Sequence, residues 1–178
     1  MNLILIKSAK EKIIQKKIDR IKKLKDLCKS KKQYRDLVKE YNHDIDIIDG
    51  IVIKFCDDID NTAKTVNGDI CINSKLLNAS PTRQLRYIIH ELVHVFQHIK
   101  NEGLAKSKSD EYLKNPDEIE AFQYQLEYQE DNENNVEKYM KDFLNFHKVP
   151  KKEREEVVDL FTDKMSDKEV KSRILKDD

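Results

Sequence analysis

Chain breakers are scarce in this 178-residue sequence, which has three glycines, three prolines and no tryptophan. So few interruptions exclude a collagen-like, proline-rich or loop-dominated chain and favour helices. Cysteine is equally sparse. Cys28, Cys56 and Cys71 are scattered, odd in number and form no CxxC pair. That excludes a disulfide scaffold, a cysteine-based zinc site and a thioredoxin-type motif, and makes a reducing, cytoplasmic setting the expected one. No sign of charge is in excess, because 34 Lys+Arg balance 34 Asp+Glu, so net charge points to neither a nucleic-acid nor a membrane partner. The balance is local: residues 7–32 hold twelve basic and three acidic residues, and residues 101–137 hold eleven acidic and three basic ones. Long apolar runs are missing too. The four residues Leu3–Ile6 are too few for a membrane span or a signal-peptide core. The length suits a single domain.

What is present is mainly helical periodicity. Leu3–Ile6 reads as a short strand, and from Ser8 onward Ile13, Ile14, Ile18, Ile21, Leu24 and Cys28 recur at amphipathic-helix spacing among lysines. A second helical stretch covers about Gln33–Tyr41. Asp49-Gly50 is a turn signal before the β-branched run Ile51–Phe55, which reads as a strand. After a polar loop, Asn67-Gly68 introduces Asp69–Asn73, whose alternation predicts an edge strand with one wet face. Ser80-Pro81 supplies a capping hydroxyl and a first-turn proline for a helix to about His98, with Gly103 as its terminator. Asn115-Pro116 opens another helix, which fades over 130–135. Helical segments over about Val136–His147 and Lys151–Met165 follow, then a short polar helix or frayed tail. The fold class expected is α+β.

Three of the five histidines fall in His90-Glu91-Leu92-Val93-His94-Val95-Phe96-Gln97-His98. HELVH is an HExxH motif. Two histidines four residues apart share a helix face one turn apart, so both imidazoles reach one tetrahedral zinc, and the intervening Glu91 can face a water on that ion. By composition such a motif arises by chance on the order of once in a hundred chains of this kind, so its context has to decide. On a helical projection Leu85, Ile88, Ile89, Leu92, Val93, Phe96 and Ile99 form one wide stripe, with His90, Glu91 and His94 facing away from it. An ordinary solvated helix face does not need so apolar a sequence around it.

A catalytic zinc needs a third protein ligand and an open position. His98 lies roughly 12 Å along the axis from His90, too far to share an ion with both histidines. The metzincin extension is absent, with Gln97 and Lys100 where its glycine and last histidine belong. A carboxylate from the next helix remains. Within Pro116–Phe122, Glu118 projects with Ile119, Ala121, Phe122 and Leu126, whereas Glu120 projects to the polar face. A carboxylate on a buried face is costly unless paired or bound to metal, so Glu118 is the expected ligand. Two alternatives stay open: Glu118 as a helix-start carboxylate interacting with the dipole, and Glu120 as the ligand.

His90-Glu91-xx-His94 followed by Glu118-xx-Ala121 resembles the gluzincin pattern of small bacterial and phage metallopeptidases of the minigluzincin and ImmA/IrrE types, over about residues 50–130. The resemblance implies a zincin-like fold in which a small mixed sheet and a backing helix precede the HExxH helix, an edge strand lines the cleft, and a helical part delivers the glutamate. Residues 1–178 then form one such domain, with a strand and helices over 1–44, the catalytic core over 45–130 and a helical extension over 131–178. The activity implied is zinc-dependent hydrolysis of a protein or peptide substrate, with Glu91 as general base on zinc-bound water and His90, His94 and Glu118 as metal ligands. An inactive interaction protein on the same scaffold is the alternative. One departure is Phe122, which stands where several gluzincins carry an acid that orients a histidine. Asp117, Gln125 or a backbone carbonyl are the substitutes on offer. For the oxyanion donor, Tyr112, Tyr124, Tyr128 and His147 are conceivable and none is assigned. The lysines of residues 8–32 surround an apolar stripe, so a backing helix is expected there rather than a nucleic-acid-binding arm.

Overall fold

The computed structural model describes residues 2–102 and 112–176, with side chains from residue 8 onward, so Gly103 lies outside the described residues. Among them the protein is α+β, with eight α-helices and one three-stranded mixed sheet. The chain divides into two compact units, Met1–Ile88 and Ile89–Asp178, with the boundary inside a helix.

In the first unit, α1 (Asn2–Lys29) is followed by α2 (Lys32–Glu40) and the single turn α3 (Ile47–Gly50). Leu3–Ile6 is therefore about one turn at the start of α1, not a strand. No breaker separates Ile6 from the helix-forming run after it, and extending an existing helix avoids the cost of nucleation, whereas a four-residue strand needs a partner. Leu24 and Cys28 are fully buried, while Ile13, Ile14 and Ile18 remain more than half exposed. The lysines of α1 tie it down. Lys29 Nζ lies 2.7 Å from both Asp46 and Asp49, Lys25 Nζ donates to the Ile51 carbonyl at 2.7 Å, and Lys17 reaches Asp57 at 3.3 Å and Ser74 at 3.0 Å. Arg20 donates to Gln84 at 2.6 Å and to the Ala79 carbonyl. Only the C-terminal end of the apolar stripe, Leu24 and Cys28, is buried as its spacing predicts.

The sheet has the order β1-β3-β2. β1 (Ile53–Cys56) runs parallel to β3 (Asp69–Asn73), with Ile53 opposite Ile70 and Phe55 opposite Ile72, and β2 (Ala63–Val66) runs antiparallel to β3. Asn67 (φ 51°) and Gly68 (φ 83°) both take positive φ. They are the two central residues of a hairpin turn, the conformation for which Asn-Gly is suited. β3 is thus central rather than an edge strand. Both its faces are covered, with Ile70 and Ile72 fully buried and Asn73 also buried. Asn73 is satisfied by donating to the Ile59 carbonyl at 2.9 Å and accepting from the Lys75 N–H at 3.0 Å.

α4 (Pro81–Lys100) begins as its signals predict, with the Ser80 hydroxyl accepting from the Arg83 N–H at 3.2 Å. In the second unit α5 (Pro116–Asn132) is capped by Asn115, whose side chain accepts from the Asp117 N–H at 3.0 Å. α6 (Val136–Phe146), α7 (Lys151–Phe161) and α8 (Val170–Leu175) follow. Phe122 and Leu126 of α5 join Met140 and Leu144 of α6, Val158 and Phe161 of α7 and Ile174 of α8 in one core. The tail is therefore packed, and Arg173 of α8 is held by Glu137 and Asp167. Among the described residues no helix is long and apolar enough to cross a membrane.

Candidate metal centre

The middle of α4 is buried on more sides than a simple amphipathic helix. Leu92, Val93, Val95 and Phe96 are buried, and so are His90 at 8% exposure and Glu91 at 7%. The histidines therefore do not sit on a solvated face. Their four-residue spacing stacks the rings with centroids 5.0 Å apart and nearly perpendicular planes, and their Nε2 atoms stand 3.3 Å apart. The first turn of α5 brings Glu118 to the same point. One of its oxygens is 3.7 Å from His90 Nε2 and the other 3.6 Å from His94 Nε2. His90, His94 and Glu118 each offer one ligand atom, all within 4.8 Å of one another. His98 is not part of that group.

A tetrahedral ion with bonds of about 2.0–2.1 Å holds its ligand atoms roughly 3.3–3.4 Å apart. The imidazole pair already has this spacing, and the carboxylate is only slightly wider. Two Nε2 atoms in near contact are a poor arrangement unless a proton or a cation lies between them. Burial opposes a charged His94, but the hydrogen bond and charge of Glu118, with the charge of Glu91 and the amide of Gln97, outweigh it and raise its pKa to about 9. Burial likewise opposes a charged Glu118, and hydrogen bonds from His90 and His94 overcome it, holding the carboxyl well below the usual range.

The surroundings of the two rings differ. His94 Nδ1 is 2.9 Å from the side-chain oxygen of Gln97, whose nitrogen donates to the Asp117 carbonyl at 3.1 Å and to Glu120 at 2.8 Å. His90 Nδ1 is buried without a hydrogen-bond partner among the described residues, and its ring stands edge-on to Phe122 with centroids 4.7 Å apart. Aromatic packing thus orients His90 where an acidic side chain could have stood. Of the substitutes offered for that acid, the Asp117 carbonyl takes part, but through Gln97, while Gln125 donates to Gln129 at 3.3 Å. Glu120 enters as the partner of Gln97 rather than beside the imidazoles.

No family model, curated protein or solved structure matches the chain.

Among the four aromatic candidates for an oxyanion donor, Tyr124 and Tyr128 are buried in α5, with the Lys164 ammonium 4.4 Å from the Tyr124 ring centroid. Tyr112 is the one beside the cluster. Burial of its hydroxyl, the nearby charge of Glu118 and a hydrogen bond to that carboxylate push its pKa up, and the charge of Glu91 adds to this. His147 stacks on the Tyr112 ring at 5.4 Å, and burial lowers its pKa. Sequence reasoning overlooked Gln97. Its signal was the three-residue spacing from His94, which places the amide on the same helix face one turn on. The cysteines carry no reactive signature, since burial pushes the Cys28 thiol up, and burial with a contact to Cys71 raises Cys56 to about 11.

Proposed function

We propose that the chain is a zinc-dependent hydrolase of peptide bonds, with His90, His94 and Glu118 as metal ligands and Glu91 as general base. The convergence of two imidazoles from α4 and a carboxylate from α5 carries the reading. Their types, number and spacing suit a catalytic zinc, which takes three protein ligands and keeps one position open. Zinc, when bound, supplies Lewis acidity toward a carbonyl oxygen and lowers the pKa of water. The chain's own residues do the rest. Glu91 takes a proton from the attacking water at its carboxylate and passes it to the leaving amine nitrogen. His90 and His94 serve as neutral imidazoles, and Glu118 contributes the negative charge that offsets part of the cation's. The burial of His90 and Glu91 limits bulk water around these groups and strengthens their electrostatics.

The element order supports a zincin-like arrangement of the gluzincin type, with helices and a small mixed sheet before the HExxH helix and a helix after it carrying the glutamate. The free thiols of Cys28, Cys56 and Cys71 suit a reducing, cytoplasmic setting. A second reading, an ion-holding interaction protein without hydrolytic activity, is favoured by Phe122, which leaves His90 Nδ1 without a hydrogen bond among the described residues.

Metal analysis with a peptide-library cleavage screen on four proteins decides. The wild type should hold about one zinc per chain and cleave peptides. Glu91→Gln should keep the metal and lose at least about a hundredfold in rate. Glu118→Gln should lose or weaken zinc, and Glu120→Gln should keep it. Full activity in the Glu91 variant would refute the mechanism, and zinc without cleavage of any peptide would favour the second reading.

A further inference from the structure

The side-chain amide of Gln97 is buried, at 6% exposure, and sits between the two elements that supply the ligand cluster. Its orientation is set by its partners. The nitrogen faces two acceptors, the Asp117 carbonyl at 3.1 Å and a Glu120 carboxylate oxygen at 2.8 Å. Neither can donate a hydrogen, so an amide turned the other way would place oxygen against oxygen twice. The Gln97 oxygen must therefore face His94 Nδ1, 2.9 Å away. An amide oxygen only accepts, so Nδ1 must carry the hydrogen. A neutral His94 then has its lone pair on Nε2, the atom that faces His90 and Glu118.

We propose that Gln97 is a positioning residue for the metal centre, fixing His94 in the Nδ1–H tautomer and tying its ring to the first turn of the helix that delivers Glu118. This role rests on the zinc reading above. It follows that the relay His94–Gln97–Glu120 has a polarity: each donor meets an acceptor, and a carboxylate at position 97 alone would set two like charges within hydrogen-bond reach. A glutamine at 97 and a glutamate at 120 satisfy the relay, whereas the reverse pair restores the bond between positions 97 and 120 but leaves the Asp117 carbonyl facing a carboxylate oxygen. His90 has no such anchor among the described residues, so the tautomer of the pair is controlled from the His94 side.

The test compares the wild type with Gln97→Met, Gln97→Glu, and Gln97→Glu combined with Glu120→Gln. Zinc affinity is measured by chelator competition, and the ring nitrogens of the zinc-loaded protein by 15N NMR. The wild type should bind zinc through His94 Nε2 and show a slowly exchanging Nδ1–H. Gln97→Met should bind about 10–100-fold more weakly and lose the slow exchange. Gln97→Glu should also be weakened, and the double variant should recover part of that loss, because the like charges at 97 and 120 are removed while the Asp117 carbonyl still lacks its donor. A simple helix-to-helix tie would change stability in Gln97→Met without moving the Nδ1–H signal, and that result overturns the proposal. So does zinc coordination through Nδ1. If Gln97→Met does not fold, a double variant that binds zinc no more tightly than Gln97→Glu is the overturning result. A wild type that binds no zinc overturns this proposal together with the zinc reading. An unaltered Gln97→Met on a zinc-binding wild type overturns the role of Gln97 alone.

Discussion

At the scale of single residues the pair formed by His94 and Glu118 decides how the metal-free protein responds to pH. The His94 pKa is raised from 6.5 to about 9, so its contribution to stability is complete below about pH 6.5 and is lost as pH rises through about 9. The Glu118 carboxyl is depressed from 4.5, so the same pair also weakens as pH falls below that value. Denaturant titration of chelator-treated protein should show a loss of at most about 3 kcal/mol between pH 6 and pH 10. A flat profile across that range would contradict the pairing. His90, His94 and Glu118 were legible in the sequence because helix periodicity converts spacing into direction, and a carboxylate among Ile119, Phe122 and Leu126 has few other reasons to be there. Gln97 was legible only as a residue one helical turn from His94, with no role attached. An amide carries no charge whose burial needs explaining, and only the acceptors around its nitrogen reveal which way it points.

At the scale of elements, α5 is the part that must be placed correctly, since Glu118 lies in its first turn. Phe122, one turn further on, does two things: it stacks on Phe161 at 5.0 Å and meets the His90 ring edge-on at 4.7 Å. Phe122→Ala should therefore cost about 3–5 kcal/mol of stability and also weaken zinc binding, read by thermal unfolding and chelator competition. Stability loss with unchanged zinc affinity would show that His90 needs no packing partner. The long helices were readable from breakers and caps, with Ser80-Pro81 and Asn115-Pro116 marking α4 and α5 as expected. Short elements were not. The strand Ala63–Val66 is four residues with little apolar content, and without it Asn67-Gly68 looked like the start of a strand rather than a hairpin turn. Missing that strand made the central β3 look like an edge. In Leu3–Ile6 a run of four β-favouring residues was outweighed by helix continuity, a non-local effect that propensity alone does not register.

At the scale of the whole molecule, the equal totals of basic and acidic residues hide a division of labour. Lys17 and Lys29 of α1 pair with Asp57, Asp46 and Asp49, and Lys25 donates to a backbone carbonyl, all within the first unit. The carboxylate that meets the two imidazoles, Glu118, lies in the acidic stretch 101–137 of the second unit. All three residues of the cluster, with Glu91, Gln97 and Glu120, belong to the second unit, so an ion bound there should stabilise that unit directly. Adding zinc at about a thousand times its dissociation constant should raise stability by about 4 kcal/mol, and chelation should remove that gain. An unfolding temperature indifferent to zinc would contradict specific binding to the native state. The most direct test of the central claim is an anomalous-difference map from a crystal of the zinc-loaded protein. The account predicts one peak per chain, within bonding distance of His90 Nε2, His94 Nε2 and the Glu118 carboxylate. A peak elsewhere, with these three side chains turned away from one another, would contradict it.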